Sequence, residues 1–263
     1  WNTKGHLCFN DSEDIESDIT VFALGGASWK VTGSDGSWSD TFIERGINVL
    51  PFRAANCAFH IDWDKNFIHT HAGKPLKNIA LKYKKQTSKG ELVVSEFGLE
   101  GNALYALSRS LQDELLTKKS VCLKVDLKPT MTMSQIKAKY KKSKLTKVTD
   151  ILKEDLSLDR TAVALIKQYS DKETFMDIDQ LAKIIKAVPI TLTAADDIDK
   201  AISTLGGIAL DEVDTNFQLN KMPNTYAIGE MLDWYAPTGG YLLQGCFSMG
   251  FSLAENLNGV NVD

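Results

Sequence analysis

Long apolar stretches are missing from these 263 residues. No run approaches the roughly 18–20 apolar residues that a membrane-crossing helix requires, so a bilayer is not an expected partner. Cysteine is sparse: Cys8, Cys57, Cys122 and Cys246 show no CxxC spacing. That excludes the usual zinc-ribbon and dithiol redox patterns, and leaves four buried free thiols in a reducing cytoplasm as the expectation. Positive charge is not in excess, with a net charge of −4 and a pI near 5.7. Such a balance argues against nucleic acid or an anionic membrane surface as the main partner. Internal repeats and low-complexity segments are absent. The chain opens on Trp1, with neither Met nor a signal peptide, and is expected to start partway into a longer protein.

What is present reads as a folded protein. The hydrophobic share of 43% suffices for a core, and the length suits one large domain or two smaller ones. The polar, acidic stretch "NDSEDIESD" suits a hairpin or surface loop. "ITVFALGG", Ile19 to Gly26, is a compact apolar run stopped by two glycines, the pattern of a strand buried on both faces of a parallel sheet. A glycine-punctuated loop follows, then a short helix around Trp38 to Arg45. From Ile47 to Leu127 the segments "INVLPF", "CAFHIDW", "KNIALKYKKQ", "GELVVSEF" and "KSVCLKVDLK" predict antiparallel strands, interrupted by one helix, "NALYALSRSLQDELL". The period changes to 3.6 near Thr130, and helices beginning near Thr, Ser or Asp are expected through Val188. The lysines from Lys137 to Lys147 fit either a basic patch or a solvated helix face. "PITLTA" and "NTYAIGE" return to strand, and a helix from about Gly240 to Leu257 ends the chain.

Chemistry is expected where strands end in glycine. In open α/β sheets, ligands bind at the carboxyl ends of strands, and Gly25-Gly26 and Gly229-Glu230 occupy such positions. Glycine permits close approach to the backbone, and a carboxylate there can accept hydrogen bonds from ligand hydroxyls. Equally, each glycine could simply make a tight turn, with Glu230 solvated. Thr238 is a plausible N-cap, which would leave Gly239, Gly240 and Tyr241 presenting free N–H groups in the first turn of the last helix.

Other motifs are incomplete. His69 and His71 in "HTH" lack a third metal ligand and suit a surface strand or turn, so no metal is expected. "CFSMG" misses the GxSxG elbow, no Walker-type G-K-[ST] occurs, and no residue has the pattern of a catalytic acid or base. Cys246 suits helix packing, with contact to a bound cofactor as the alternative.

Four stretches together carry a resemblance. "GEMLDWYAPTGGYLLQ", "ALGGASWKVTGSDGSW", "GELVVSEFGLEGNALYALS" and "DKAISTLGGIALDEVD" resemble segments of the BaiN-like flavoproteins, NAD(P)/FAD-dependent oxidoreductases, in the expected order from Ala23 to Gly250. The resemblance implies a multidomain α/β and α+β fold: a partial Rossmann-type FAD-binding domain interrupted by an antiparallel, β-barrel-like insertion and a small helical domain. The expected boundaries are 1–45 and 191–263 for the FAD-binding part, 46–128 for the barrel-like insert and 129–190 for the helical insert. It further implies FAD as cofactor, with Gly25 and Gly26 on the adenosine-diphosphate side. Gly229 and Glu230 would meet the pyrophosphate–ribityl region, while Thr238, Gly239, Gly240, Tyr241 and Leu242 would turn N–H groups to the flavin pyrimidine edge. NAD(P)H and a small organic substrate are the implied partners.

The family opens with a GxGxxG strand–turn–helix, and this sequence contains none. The expectation is therefore a fragment that holds FAD poorly by itself and exposes a sheet edge open to self-association. The alternative is a non-catalytic ligand- or partner-binding fragment without flavin.

Overall fold

The computed structural model describes residues 1, 6–9 and 14–259. Part of the acidic stretch predicted as a hairpin, residues 10–13, lies outside them. Within the described part, Leu7 and Ile15 form an antiparallel bridge. The chain divides into two compact units, one of residues 1–53 and 203–263, the other of 54–202. Charge is divided with them. The first unit carries five Lys and Arg against fifteen Asp and Glu, the second twenty-five against nineteen. The modest overall charge thus conceals an acidic unit and a basic one.

In the first unit, β1 (Thr20–Phe22) precedes α1 (Trp38–Ile43) and β2 (Val49–Ala55). The second unit then runs through β3 (Phe59–His60), α2 (Lys65–His71), β4 (Pro75–Tyr83), β5 (Gln86–Val94) and β6 (Gly98–Glu100). Two short helices, α3 (Asn102–Tyr105) and α4 (Ser108–Leu115), stand where one was predicted, followed by β7 (Val121–Asp126). The helical series is α5 (Met133–Lys142), α6 (Val148–Asp150, continued by a π-helical turn Ile151–Asp155), α7 (Arg160–Gln168), α8 (Lys172–Met176) and α9 (Ile178–Lys186). Strands β8 (Val188–Leu192) and β9 (Ala194–Ala195) close that unit. The first unit resumes with β10 (Ser203–Ile208), β11 (Thr225–Ala227) and α10 (Tyr241–Leu257).

All seven strands of the second unit share one antiparallel sheet in the order β8-β7-β4-β5-β6-β3-β9. Its two outermost members, β8 and β9, are separated in sequence only by Thr193, whose N–H donates to the His60 carbonyl at 2.9 Å. A sheet whose edges are joined by one residue must curl on itself, which is barrel geometry. Alternation sets its faces: in β7, Val121, Leu123 and Val125 are buried, while Cys122 and Lys124 point outward. A bulge in β4 between Leu76 and Ile79 sits at Asn78, whose φ of +54° is one that Asn tolerates.

The helices start where the sequence offers acceptors. Thr132 and Gln135 form a reciprocal capping box on α5. Asp159 caps α7 through the Ala162 N–H at 2.7 Å, and Asp177 caps α9. Leu152, Leu165, Ile166, Leu181 and Ile185 then bury an apolar face in the same core as β7 and β8. The lysines of α5 are largely a solvated face: Lys137 pairs with Asp179, and Lys139 donates to the Asp155 carbonyl.

Three expectations need correction. "HTH" lies on the helix α2, whose N-cap Asp64 receives the Asn66 and Phe67 N–H groups. Positions i and i+2 of a helix face different sides, so His69 and His71 do not converge. Among the described residues no group of three His, Cys, Asp or Glu is placed to hold a metal. Cys8 and Cys122 are exposed; the strand alternation that buries Leu123 turns Cys122 outward. Only Cys57 is fully buried, and burial pushes its thiol up to about 11. Finally, the strand expected over "CAFHIDW" is reduced to Phe59–His60, and Gly98 of the paired strand β6 sits directly against the Phe59 backbone.

In the first unit β1 pairs with β11 in parallel, Thr20 with Thr225 and Phe22 with Ala227, as the two glycine-ended apolar runs predict. Contrary to expectation, β1 is not buried on both faces: Ile19, Val21 and Leu24 are exposed, since among the described residues β1 pairs with β11. Beneath them Trp1, Phe22, Trp38 and Phe42 pack edge to face, with ring centroids 5.2 to 5.6 Å apart.

The tightest backbone contact of the barrel-like sheet yields a stability prediction. A Cβ on Gly98 would stand 1.8 Å from the Phe59 carbonyl oxygen. Gly98→Ala should therefore cost about 1–3 kcal/mol or more by overpacking. Thr132→Ala, which removes only the capping box, should cost about 1 kcal/mol. Urea denaturation of the full chain measures both, and a Gly98→Ala variant as stable as the parent rules that contact out as a constraint.

Candidate functional site

The candidate residues of the first unit sit on three connections: the loop after β1, the turn after β11 and the start of α10. Gly25 follows β1 with φ of +77°, a conformation that favours glycine. Its carbonyl accepts from the Trp38 indole at 3.2 Å, which ties the loop to α1. Gly26 has a different reason to be glycine. A Cβ there would lie 2.3 Å from the Thr204 hydroxyl oxygen and 3.1 Å from the Glu230 carboxyl carbon.

Thr204 is the residue that sequence reasoning missed. Its hydroxyl accepts from the Ala27 N–H at 2.9 Å and the Ser28 N–H at 3.1 Å. Its own N–H donates to Glu230 Oε1 at 3.0 Å, and the Gly26 N–H also donates to that carboxylate. One threonine in β10 thereby joins the loop after β1 to the turn after β11. Nothing local marks it: the only signal in sequence was its place two residues before the Gly206-Gly207 pair.

Gly229 has φ of +77°, and its carbonyl accepts from the Trp234 indole at 2.8 Å. Its N–H points at the Met249 sulfur, 3.3 Å away, and the Cys246 sulfur lies 3.5 Å from where a Cβ would stand. The turn thus packs on the middle of α10. Gly245 meets the same constraint from the other side, since the Trp234 ring occupies the space of any Cβ. Cys246 is a packing residue here, with its thiol held above the ordinary value by burial and by the nearby Glu230 carboxylate. Both effects favour the protonated thiol over the thiolate.

The start of α10 differs from the expectation. Thr238 is not its N-cap; Gly240 is, in a left-handed conformation, and no side chain caps the helix. Gly239 and Gly240 have φ of +109° and +89°, so the helix cannot begin before Tyr241. The N–H groups of Tyr241 and Leu242 belong to the uncapped first turn. The structure brings Gly25, Gly26, Thr204, Gly229 and Glu230 into one cluster. It places Gly239 to Leu242 at the head of α10 and Thr238 just ahead of them.

Electrostatically, Glu230 dominates. It is half-buried, and desolvation raises its carboxyl above the ordinary value although the Thr204 and Gly26 N–H groups favour the ionised form. A half-buried carboxylate with directed N–H donors is arranged to accept hydrogen bonds from hydroxyls. For a group with a raised folded-state value, the cost of ionisation is present in full above that value. It disappears below the ordinary carboxylate range. Glu230→Gln, which keeps an acceptor oxygen without the charge, should raise the thermal midpoint at neutral pH. That advantage should vanish in acid, as melting curves across pH will show. Thr204→Val should cost about 1–3 kcal/mol by leaving two N–H groups without an acceptor, and Thr204→Ser should largely restore it. Equal stability of the Val and Ser variants in denaturant titrations would discount the hydroxyl.

Known proteins bear on this geometry. Residues 53–203 match the family described as HI0933-like protein barrel and H2TH domain, a range that nearly coincides with the second compact unit. Over 266 aligned positions the chain is 23% identical to a 3-dehydro-bile acid delta(4,6)-reductase of Clostridium scindens, covering 95% of this chain. The chain spans 64% of that relative's length. No helix among the described residues is long and apolar enough to cross a membrane. With more than half of its length matched, and with the barrel-like sheet and helices in place, the chain belongs to the HI0933-like family of flavoprotein relatives.

Proposed function

We propose that this polypeptide is part of an FAD-dependent oxidoreductase that uses NAD(P)H to reduce a small organic acceptor. When bound, the flavin supplies the hydride chemistry, and the protein supplies position and electrostatics. In this reading residues 1–45 and 191–263 form the Rossmann-type flavin-binding part, with 46–128 and 129–190 as inserts. The observation that carries it is the cluster around Glu230. Its half-buried carboxylate, fixed by the Thr204 and Gly26 N–H groups, suits the hydroxyls of a ribityl chain. The uncapped N–H groups of Tyr241 and Leu242 suit the electron-rich edge of a flavin ring. Gly240 leaves that approach open, with no atom within 4 Å of where a Cβ would stand. The reductase activity named for the Clostridium scindens relative supports the reaction class.

The residues present do not supply a pyrophosphate cradle. Gly26 is filled by Thr204 and Glu230, and no GxGxxG occurs in the sequence. On this proposal the cradle lies outside these 263 residues, and the unpaired outer edge of β1, which among the described strands pairs only with β11, promotes self-association. Charge-assisted hydrogen bonds are worth roughly 1.5–3 kcal/mol each. Lacking two or three of them weakens FAD binding by about a thousandfold or more.

The chain purified alone should therefore be nearly colourless, and the protein extended upstream should be yellow with stoichiometric flavin. An absorbance scan decides. Stoichiometric flavin on the 263-residue chain would overturn the missing-cradle argument. A folded but colourless extended protein would overturn the flavoenzyme reading in favour of a non-catalytic binding protein.

A further inference from the structure

A second candidate site lies wholly within residues 54–202. Where α2, the start of β4 and the first turn of α7 meet, a cavity of about 550 Å³ opens to solvent. Lys74, Lys77 and Arg160 line it, with the hydroxyl-bearing Thr70 and Thr161 beside them. None of the three cations forms an ion pair with a described residue. His71 completes the wall, stacked on Phe67 at 5.0 Å and hydrogen-bonded through Nδ1 to Thr161 Oγ1 at 3.2 Å. Thr161 is itself buried, at 6% exposure, so this corner is held in place by packing.

The one acidic side chain in the lining, Asp159, is committed to capping α7 through the Ala162 N–H. Burial holds the imidazole of His71 below its ordinary value, with Lys74 acting in the same direction and Asp159 opposing. His71 is therefore neutral near pH 7, and three cations against one carboxylate leave the lining with two net positive charges. A phosphate monoester carries about −1.5 to −2 at that pH. A simple carboxylate would leave the lining under-compensated, and an inorganic ion would fill little of the volume. Arg offers a planar pair of donors to phosphate oxygens, and the lysines add point charges from another direction.

We propose that this cavity binds the phosphate of a nucleotide-sized monoester. On the flavoenzyme reading above, on which this last step rests, the phosphorylated nicotinamide dinucleotide is the ligand of that class the reaction already requires. The site would then favour NADPH over NADH.

Calorimetric titration of the 263-residue chain with adenosine 2′,5′-bisphosphate, adenosine and inorganic phosphate tests the site without flavin. The bisphosphate should bind saturably, adenosine and inorganic phosphate at least about tenfold more weakly, and added salt should weaken binding. Lys74→Ala with Lys77→Ala should reduce affinity about tenfold or more, as should Arg160→Gln on the separate element α7, while Lys74→Arg with Lys77→Arg should retain binding. No binding by a chain shown folded by circular dichroism overturns the proposal, as does binding unchanged in the Ala and Gln variants. Inorganic phosphate binding as tightly as the nucleotide overturns the ligand class. Bisphosphate binding together with a colourless extended protein keeps the site and removes the flavoenzyme reading; flavin without nucleotide binding does the reverse.

Discussion

The first unit is built from two stretches of chain that the second unit separates. At the candidate site Thr204 and Glu230, both in the second stretch, hold the loop after β1 through the N–H groups of Gly26, Ala27 and Ser28. Thr204 gives its N–H to Glu230 and takes the N–H groups of Ala27 and Ser28 on its hydroxyl. The loop after β1, strand β10 and the turn after β11 meet there. The parallel ladder of β1 and β11 is only three residues long, too short to set the geometry of these loops unaided. Polar contacts at a half-buried position are worth more than on the surface, because water does not compete fully for the donors. Position and chemistry are thus set by the same few bonds.

That arrangement explains why glycines crowd the site. Gly26 is required by what already fills its side-chain space, whereas Gly25 and Gly229 are required by their backbone angles. Gly245 accommodates an indole. Of the glycines at this site, Gly240 alone has no atom within 4 Å of where a Cβ would stand, and it is the residue that leaves the first turn of α10 uncapped. Identical letters in a sequence therefore serve three distinct physical demands. Of these, only the last leaves room for a ligand.

The second unit has a different character. Its sheet is pinned by antiparallel registers, by Gly98 against Phe59, and by the single residue between β8 and β9. Its helices contribute a shared apolar core, and its surface carries the chain's excess of lysine. An acidic unit beside a basic one in a single sequence means that net charge describes neither. The inference of phosphate recognition depends on that local balance, which the total of −4 conceals.

By itself the sequence determined the periodicities. Alternation in "NIALKYKK" and apolar faces after Thr130 are local signals, so β4 and the helices α5, α7 and α9 fell where predicted, whereas "HTH" and "CAFHIDW" did not. Likewise the two glycine-ended runs paired in parallel. The resemblance in four ordered stretches identified the family for the same reason, as motifs are contiguous. Only tertiary structure decided the rest. Thr204 became the hub of the candidate site through partners 176 and 26 positions away. The N-cap of α10 shifted from Thr238 to Gly240 because consecutive positive φ angles, invisible in composition, forbid helix through Gly239 and Gly240. His71, expected on a surface strand or turn, instead faces a cationic cavity from the helix α2, where positions i and i+2 point to different sides. Local periodicity is set by neighbours in sequence, whereas the chemistry of a site is set by neighbours in space.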